Sequence, residues 1–165
     1  MPEITLPTTD GSWLALHSLG HDGLAIIFCY PWTGHPGEPL LVEEWDSIPG
    51  ARGCTPETCG FRDLHSEFED VGAQVIGLST QGTAYQAELA QRLQLPFPIL
   101  SDEGLQVTRA LRLPTMKVAD KVLIKRLTLV VEGGLISRAF YPVFPPDRHA
   151  GEVLAWLRLA GADGG

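Results

Sequence analysis

The sequence predicts an α/β fold: a central mixed β-sheet flanked by helices. Three observations carry that expectation. Leu24 to Tyr30 is a continuous apolar run, the pattern of a strand buried on both faces. Short apolar stretches at Val75–Leu78 and Phe97–Leu100 alternate with helical patterns. A closing pair of strand-like segments, 126–131 and 135–141, flanks Glu132-Gly133-Gly134, which reads as a hairpin. With a helix after the hairpin, this order suits a sheet covered on both sides.

Each element has its own local reason. Asp10-Gly11 predicts a turn before a short strand at 12–16. The next stretch, Pro31 to Gly53, breaks every periodicity with four prolines and four glycines, and reads as a long loop. A helix is expected from Thr55, with Thr55 as its cap, Pro56 in the first position, and Phe61, Leu64, Phe68 and Val71 on one face up to Gly72. A second helix is expected over 84–93, a third from Ser101-Asp102 to about Leu111, and an amphipathic helix over 147–159. No linker and no repeat interrupts the 165 residues, so one domain is expected over 1–165, with a loop at about 31–53.

Composition narrows the function. Twelve basic residues face twenty acidic ones, a net charge of -8, which argues against a nucleic-acid partner because no basic surplus is available to neutralise phosphates. No apolar run approaches the ~20 residues of a membrane span, and no basic segment followed by an apolar stretch opens the chain. A soluble protein, with no membrane partner and a cytoplasmic location, is the expectation. Three cysteines are too few for a secreted disulfide framework, and clustered cysteines in a reducing compartment point to catalysis or metal binding. His17, His21, His35, His65 and His149 are scattered without ligand spacing, so no metal is expected; His35 and His65 read as solvent-facing. A Ser-His-Asp hydrolase has no G-x-S-x-G segment to support it.

The informative segment is Gly53-Cys-Thr-Pro-Glu-Thr-Cys-Gly-Phe-Arg-Asp63. It sets Cys54 at a helix start, where free N–H groups and the helix dipole favour a thiolate, so a lowered pKa is expected there. Cys59 lies five positions on. On a regular helix those two Cα atoms stand beyond the ~7 Å reach of a disulfide, so a bond between them requires the first turns to unwind. That fits a redox cycle better than a static brace. Glu57 reads as a cap of the helix start, with a hydrogen bond near Cys54 as its alternative, Arg62 and Asp63 as an ion pair, and Cys29 as core. Trp32 and Trp45 either cover the site or meet a second subunit.

This segment resembles the active-site segment of the peroxiredoxins, specifically the peroxiredoxin Q (bacterioferritin comigratory protein) group. Tyr30-Pro31, Leu95-Pro-Phe-Pro-Ile-Leu-Ser-Asp102 and Arg126-Leu-Thr-Leu-Val-Val-Glu-Gly-Gly-Leu-Ile136 resemble further segments of that group in the same order. The likeness covers about Ile4 to Leu159 apart from the loop. It implies a thioredoxin-like fold and a thiol peroxidase acting on hydrogen peroxide and organic hydroperoxides. It further implies Cys54 as peroxidatic cysteine, Cys59 as resolving cysteine in an intramolecular disulfide, and Arg126 facing the Cys54 sulfur. Thioredoxin or a glutaredoxin is the implied electron donor, no cofactor is needed, and the chain is expected to be a monomer or weak homodimer. Two positions depart from the family pattern. Ala51 stands where the family has a hydroxyl residue and Ser47 where it has proline, so Thr33 is expected to supply the hydroxyl, with Ser47 as the other candidate. A thiol–disulfide exchange or redox-sensing module without peroxidase turnover, and a non-catalytic binding domain on the same fold, are the competing readings.

Overall fold

A computed structural model describes residues 1–164. Its centre is a five-stranded mixed sheet built from β3 (Leu24–Cys29), β4 (Ala73–Ser79), β5 (Ile99–Ser101), β8 (Leu127–Glu132) and β9 (Leu135–Phe140). The order across the sheet is β5-β4-β3-β8-β9; β3, β4 and β5 run parallel, and β8 and β9 run antiparallel to their neighbours. The central strand β3 is the apolar run of the sequence, and its last five residues are buried. That follows from its position between two strands and two layers.

Successive β3 residues alternate between two cores. Ile26, Phe28 and Tyr30 face one with Phe61, Phe68, Leu89, Val130 and Leu154. Those partners come from α1 (Cys54–Asp63), α2 (His65–Asp70), α3 (Thr83–Arg92), β8 and α5 (His149–Asp163). Ala25, Ile27 and Cys29 face the other, with Leu6 of β1 (Thr5–Pro7), Val107 of α4 (Gln106–Ala110) and Leu129. A small hairpin pairs β1 with β2 (Trp13–Ala15). Phe28 stacks on Phe61 with ring centroids 4.4 Å apart and planes 11° off parallel. This contact anchors the second half of α1 to the middle of the sheet.

One local expectation is corrected, and two strand features are added. The helix foreseen over 55–72 breaks at Leu64 into α1 and α2, whose apolar residues still share one face. β1 was not foreseen, and neither was the hairpin of β6 (Thr115–Val118) and β7 (Lys121–Ile124), whose turn runs through Ala119 at φ +54°. The loop 31–53 is longer than an ordinary connection but is packed. Trp45, in a short 3₁₀ turn, is buried with Ala51, Val118 and Leu123 in a third small core under the β6–β7 hairpin.

Candidate active site

Register fixes the site. Cys29 of β3 pairs with Leu127 of β8, which brings Arg126, the residue just before β8, level with the end of β3. Arg126, Thr128 and Val130 then share the sheet face that α1 covers, because strand side chains alternate. In α/β sheets, ligands bind outside the carboxyl ends of the parallel strands, and α1 begins there.

Helix α1 opens on Cys54 itself, one residue earlier than expected. Gly53 is the cap residue, at φ +100°, and no side chain caps the helix. A Cβ at Gly53 would sit 2.3 Å from Cγ of Pro146, so both the backbone angle and the close approach of the segment before α5 require glycine there. Thr55 is therefore within the helix rather than its cap. Glu57 is not a cap either: it is fully buried and its Oε2 accepts from Nη1 of Arg126.

Arg126 organises the site. Its Nη2 donates to Cys54 Sγ at 3.2 Å, to the Arg52 carbonyl at 3.0 Å and to the Gly50 carbonyl at 3.3 Å. One guanidinium thus ties the loop, the cysteine and Glu57 together, a task for a rigid planar fork. Among these groups Cys54 is 4% exposed, Glu57 0% and Arg126 3%.

Burial dominates the proton equilibria. It pushes the Cys54 thiol up, against the pull of the Arg126 charge and a hydrogen bond from the Trp32 backbone, while the Glu57 charge pushes it further up. The expectation of a lowered thiol pKa is not met: desolvation of a nearly enclosed sulfur outweighs the pull of the Arg126 charge. Burial likewise pushes Glu57 up to about 7, with Arg126 pulling the other way. Behind Arg126, His149 is buried, lies 2.7 Å from Thr128 Oγ1 through Nε2, and is lowered to about 4 by burial and then by the Arg126 charge. It is neutral at physiological pH.

Cys59 is half-buried further along α1, and all three thiols are free. On the intact helix its Cα stands roughly 8–9 Å from that of Cys54, beyond disulfide reach. The first turn is held by the Glu57 N–H to Gly53 carbonyl bond at 3.1 Å, the Thr58 hydroxyl on the Cys54 carbonyl at 2.8 Å, and the Glu57–Arg126 pair.

Thr33 is buried and paired with Gln81. Its hydroxyl and its N–H both donate to Gln81 Oε1, at 3.1 and 3.0 Å, and Gln81 Nε2 returns a bond of 2.9 Å to the Thr33 carbonyl. That closed amide pair pins the loop beyond the end of β4 and engages the Thr33 hydroxyl as a donor. Ser47 is exposed on the rim of a cleft of about 590 Å³ beside Arg126, whose walls include Ile48, Pro49, Val143 and Phe144. Arg62 and Asp63 pair at 2.9 Å as expected, and Cys29 sits in the opposite core. His35 and His65 are only partly exposed, which corrects their solvent-facing reading: His35 stacks on Tyr85 at 3.8 Å between ring centroids and meets Glu88 at 3.0 Å.

Two partnerships at the site were not expected from the sequence: that of Glu57 with Arg126, and that of the buried His149 with Thr128. For Glu57 the signal was present, three residues from Cys54 and hence on the same helix face. For His149 no local signal exists.

An enclosed cysteine at a helix start, held by an arginine just before an antiparallel strand, is an arrangement suited to thiol chemistry on a thioredoxin-like sheet. Comparison with known proteins carries this further. Residues 1–154 match the Redoxin family. A chloroplastic peroxiredoxin Q from Gentiana triflora is 30% identical over 162 residues, covering 96% of this chain and 65% of the relative. A putative chloroplastic peroxiredoxin Q from Oryza sativa subsp. indica is 34% identical over 125 residues, covering 74% of this chain and 55% of the relative. The chain thus spans a little over half to about two thirds of the length of these curated relatives. Among solved structures, peroxidoxin BcpB from Mycobacterium tuberculosis is 30% identical, with a TM-score of 0.74 over 94% of this chain and 92% of the other. Peroxiredoxin Q from Xanthomonas campestris is 25% identical, with a TM-score of 0.73 over 94% and 90%. The chain belongs to the Redoxin family, among the peroxiredoxins of the peroxiredoxin Q and bacterioferritin comigratory protein group.

Proposed function

We propose that the protein is a thiol peroxidase that reduces hydrogen peroxide and organic hydroperoxides, with Cys54 as peroxidatic and Cys59 as resolving cysteine. The observation that carries this reading is the 3.2 Å bond from Arg126 to Cys54 Sγ at the head of α1, beside the cleft at Ile48, Pro49 and Phe144. The Cys54 thiolate attacks one peroxide oxygen and breaks the O–O bond, leaving a sulfenic acid on Cys54 and a hydroxide or alkoxide that takes a proton from solvent and departs as water or an alcohol. Arg126, a permanent cation, holds the thiolate and stabilises charge developing on the departing oxygen. The apolar walls of the cleft suit the organic part of a hydroperoxide.

The second step needs α1 to open. Its unwinding brings the Cys59 sulfur to the sulfenic sulfur; an S–S bond forms, the S–O bond breaks, and water leaves. The helix start, which lacks a side-chain cap, is the weak end, while Phe61 keeps the rest of α1 in the core. A dithiol protein, thioredoxin or a glutaredoxin, returns both thiols by exchange. Thr33 acts in this reading as a loop anchor through Gln81. The odd cysteine count suits a reducing compartment such as the cytoplasm.

Peroxide consumption coupled to thioredoxin, measured for wild type, Cys54→Ser and Cys59→Ser, tests the assignment. Turnover in wild type and its loss in both variants is expected. Turnover surviving in Cys54→Ser overturns it.

A further inference from the structure

Arg126 is one cation facing two acids, Cys54 and Glu57, all three shut away from water. We propose that Cys54 and Glu57 share one proton across Arg126, so that Glu57 takes up a proton as Cys54 becomes a thiolate and the reacting site holds a single negative charge. This rests on Cys54 being the reacting thiol, and it assigns Glu57 as a positioning residue that acts through Arg126.

The geometry supports it in two independent ways. Two adjoining anions against one cation leave an uncompensated charge in a buried site, which is costly. Moreover, Oε1 of Glu57 is buried without a hydrogen-bond partner, while Oε2 is taken by Arg126. An orphan lone pair on a buried carboxylate is expensive, and it is where a proton would sit at least cost.

The surroundings leave no other group to balance the charge. At the end of β3 and just beyond it, the Cys29 thiol and the Tyr30 hydroxyl feel the Glu57 charge, and burial pushes both up, so they stay neutral. From α5, His149 is neutral behind Arg126. Asp147 and Arg148, in the turn packed on α1, are exposed, as are Asp46 and Arg52 of the loop. On α1 itself, Arg62 and Asp63 pair with each other at the far end. The proton passes from the Cys54 sulfur to a Glu57 oxygen with no net change in charge, and the two groups titrate as a pair rather than singly.

The test is the thiolate titration of Cys54, followed by alkylation rate against pH in a Cys59→Ser background, with and without Glu57→Gln. Glutamine keeps an acceptor for Nη1 of Arg126 and cannot ionise. The expected result is a midpoint lower by at least about one pH unit, a roughly tenfold gain in thiolate below the midpoint. A Glu57 that only holds Arg126 in place predicts the opposite, since disturbing Arg126 raises the midpoint; a midpoint that rises or stays put overturns the proposal, and a protonated-carboxyl infrared band separates a shared proton from repulsion by a permanently ionised Glu57. Infrared difference spectra of Cys59→Ser, with Glu57 intact, give a second readout if the glutamine variant does not fold. Converting Cys54 to its sulfinate fixes a permanent anion there. A protonated-carboxyl band should then appear at neutral pH, and its absence overturns the proposal. Peroxide turnover is scored separately: turnover without these signatures removes the shared proton alone, and their presence without turnover removes the peroxidase reading.

Discussion

Arg126→Lys keeps a positive charge at the site and removes the fork. In the native protein Nη1 serves Glu57 while Nη2 reaches Cys54 Sγ at 3.2 Å and the carbonyls of Arg52 and Gly50 at 3.0 and 3.3 Å. A lysine ammonium is a single point on a flexible stem and cannot span Glu57, the sulfur and both carbonyls. Charge-assisted hydrogen bonds of this kind are worth about 1.5–3 kcal/mol each. Losing one or two of them lowers stability by about 2–5 kcal/mol, read as a drop in the urea midpoint at unchanged slope. Catalysis suffers separately. Removing one preorganised donor from developing charge costs about 10²–10³ in rate, so sulfenic acid formation from hydrogen peroxide should slow by at least about a hundredfold in single-turnover measurements. A folded Arg126→Lys variant whose rate stays within a few-fold of wild type would refute the reasoning, because charge alone would then suffice.

Other consequences follow from neighbouring residues. His149 is lowered to about 4 from 6.5, so the unfolded chain binds more protons between those values and the histidine's contribution to stability is lost as pH falls through them. His149→Gln should therefore lose less stability than wild type between pH 6.5 and 4 in parallel urea titrations; equal losses would contradict it. Gly53→Ala forces an L side chain at φ +100° into Pro146, and should destabilise by more than about 1 kcal/mol and slow Cys54 alkylation. Thr33→Val removes the hydroxyl bond to Gln81 but keeps the N–H bond. It should cost about 1 kcal/mol in stability and leave peroxide reduction within a few-fold of wild type; a collapse of the rate would place that hydroxyl at the peroxide.

Much of the fold was legible because its signals are local. The run Leu24–Cys29 is apolar on both faces because it lies between two layers and two strands, and the Gly133-Gly134 turn sits at the tip of the β8–β9 hairpin. The β6–β7 hairpin was hidden because its turn passes through Ala119 at φ +54°, with no glycine or asparagine to mark it. The break at Leu64 was hidden because α1 and α2 keep one apolar face across it. At the site, the family resemblance pointed to Cys54, Cys59 and Arg126, and the structure sets Arg126 against Cys54 Sγ, whereas partnership across the chain was out of reach. Glu57 three residues into a helix looks like a cap by spacing, and only the register of β8 shows that a guanidinium waits for it. The thiol's upward shift could not be read from a helix dipole either. It arises from enclosure by the loop and sheet, a property of the assembled fold.

The central claim is that peroxide oxidises Cys54 and that Cys59 resolves it within the same chain. Reduced protein treated with one equivalent of hydrogen peroxide, then alkylated and mapped by mass spectrometry, tests this most directly. The expected product is monomeric and has lost two hydrogens, with a Cys54–Cys59 cross-linked peptide and Cys29 still a thiol. An unmodified Cys54, or a disulfide that joins two chains or uses Cys29, would contradict it.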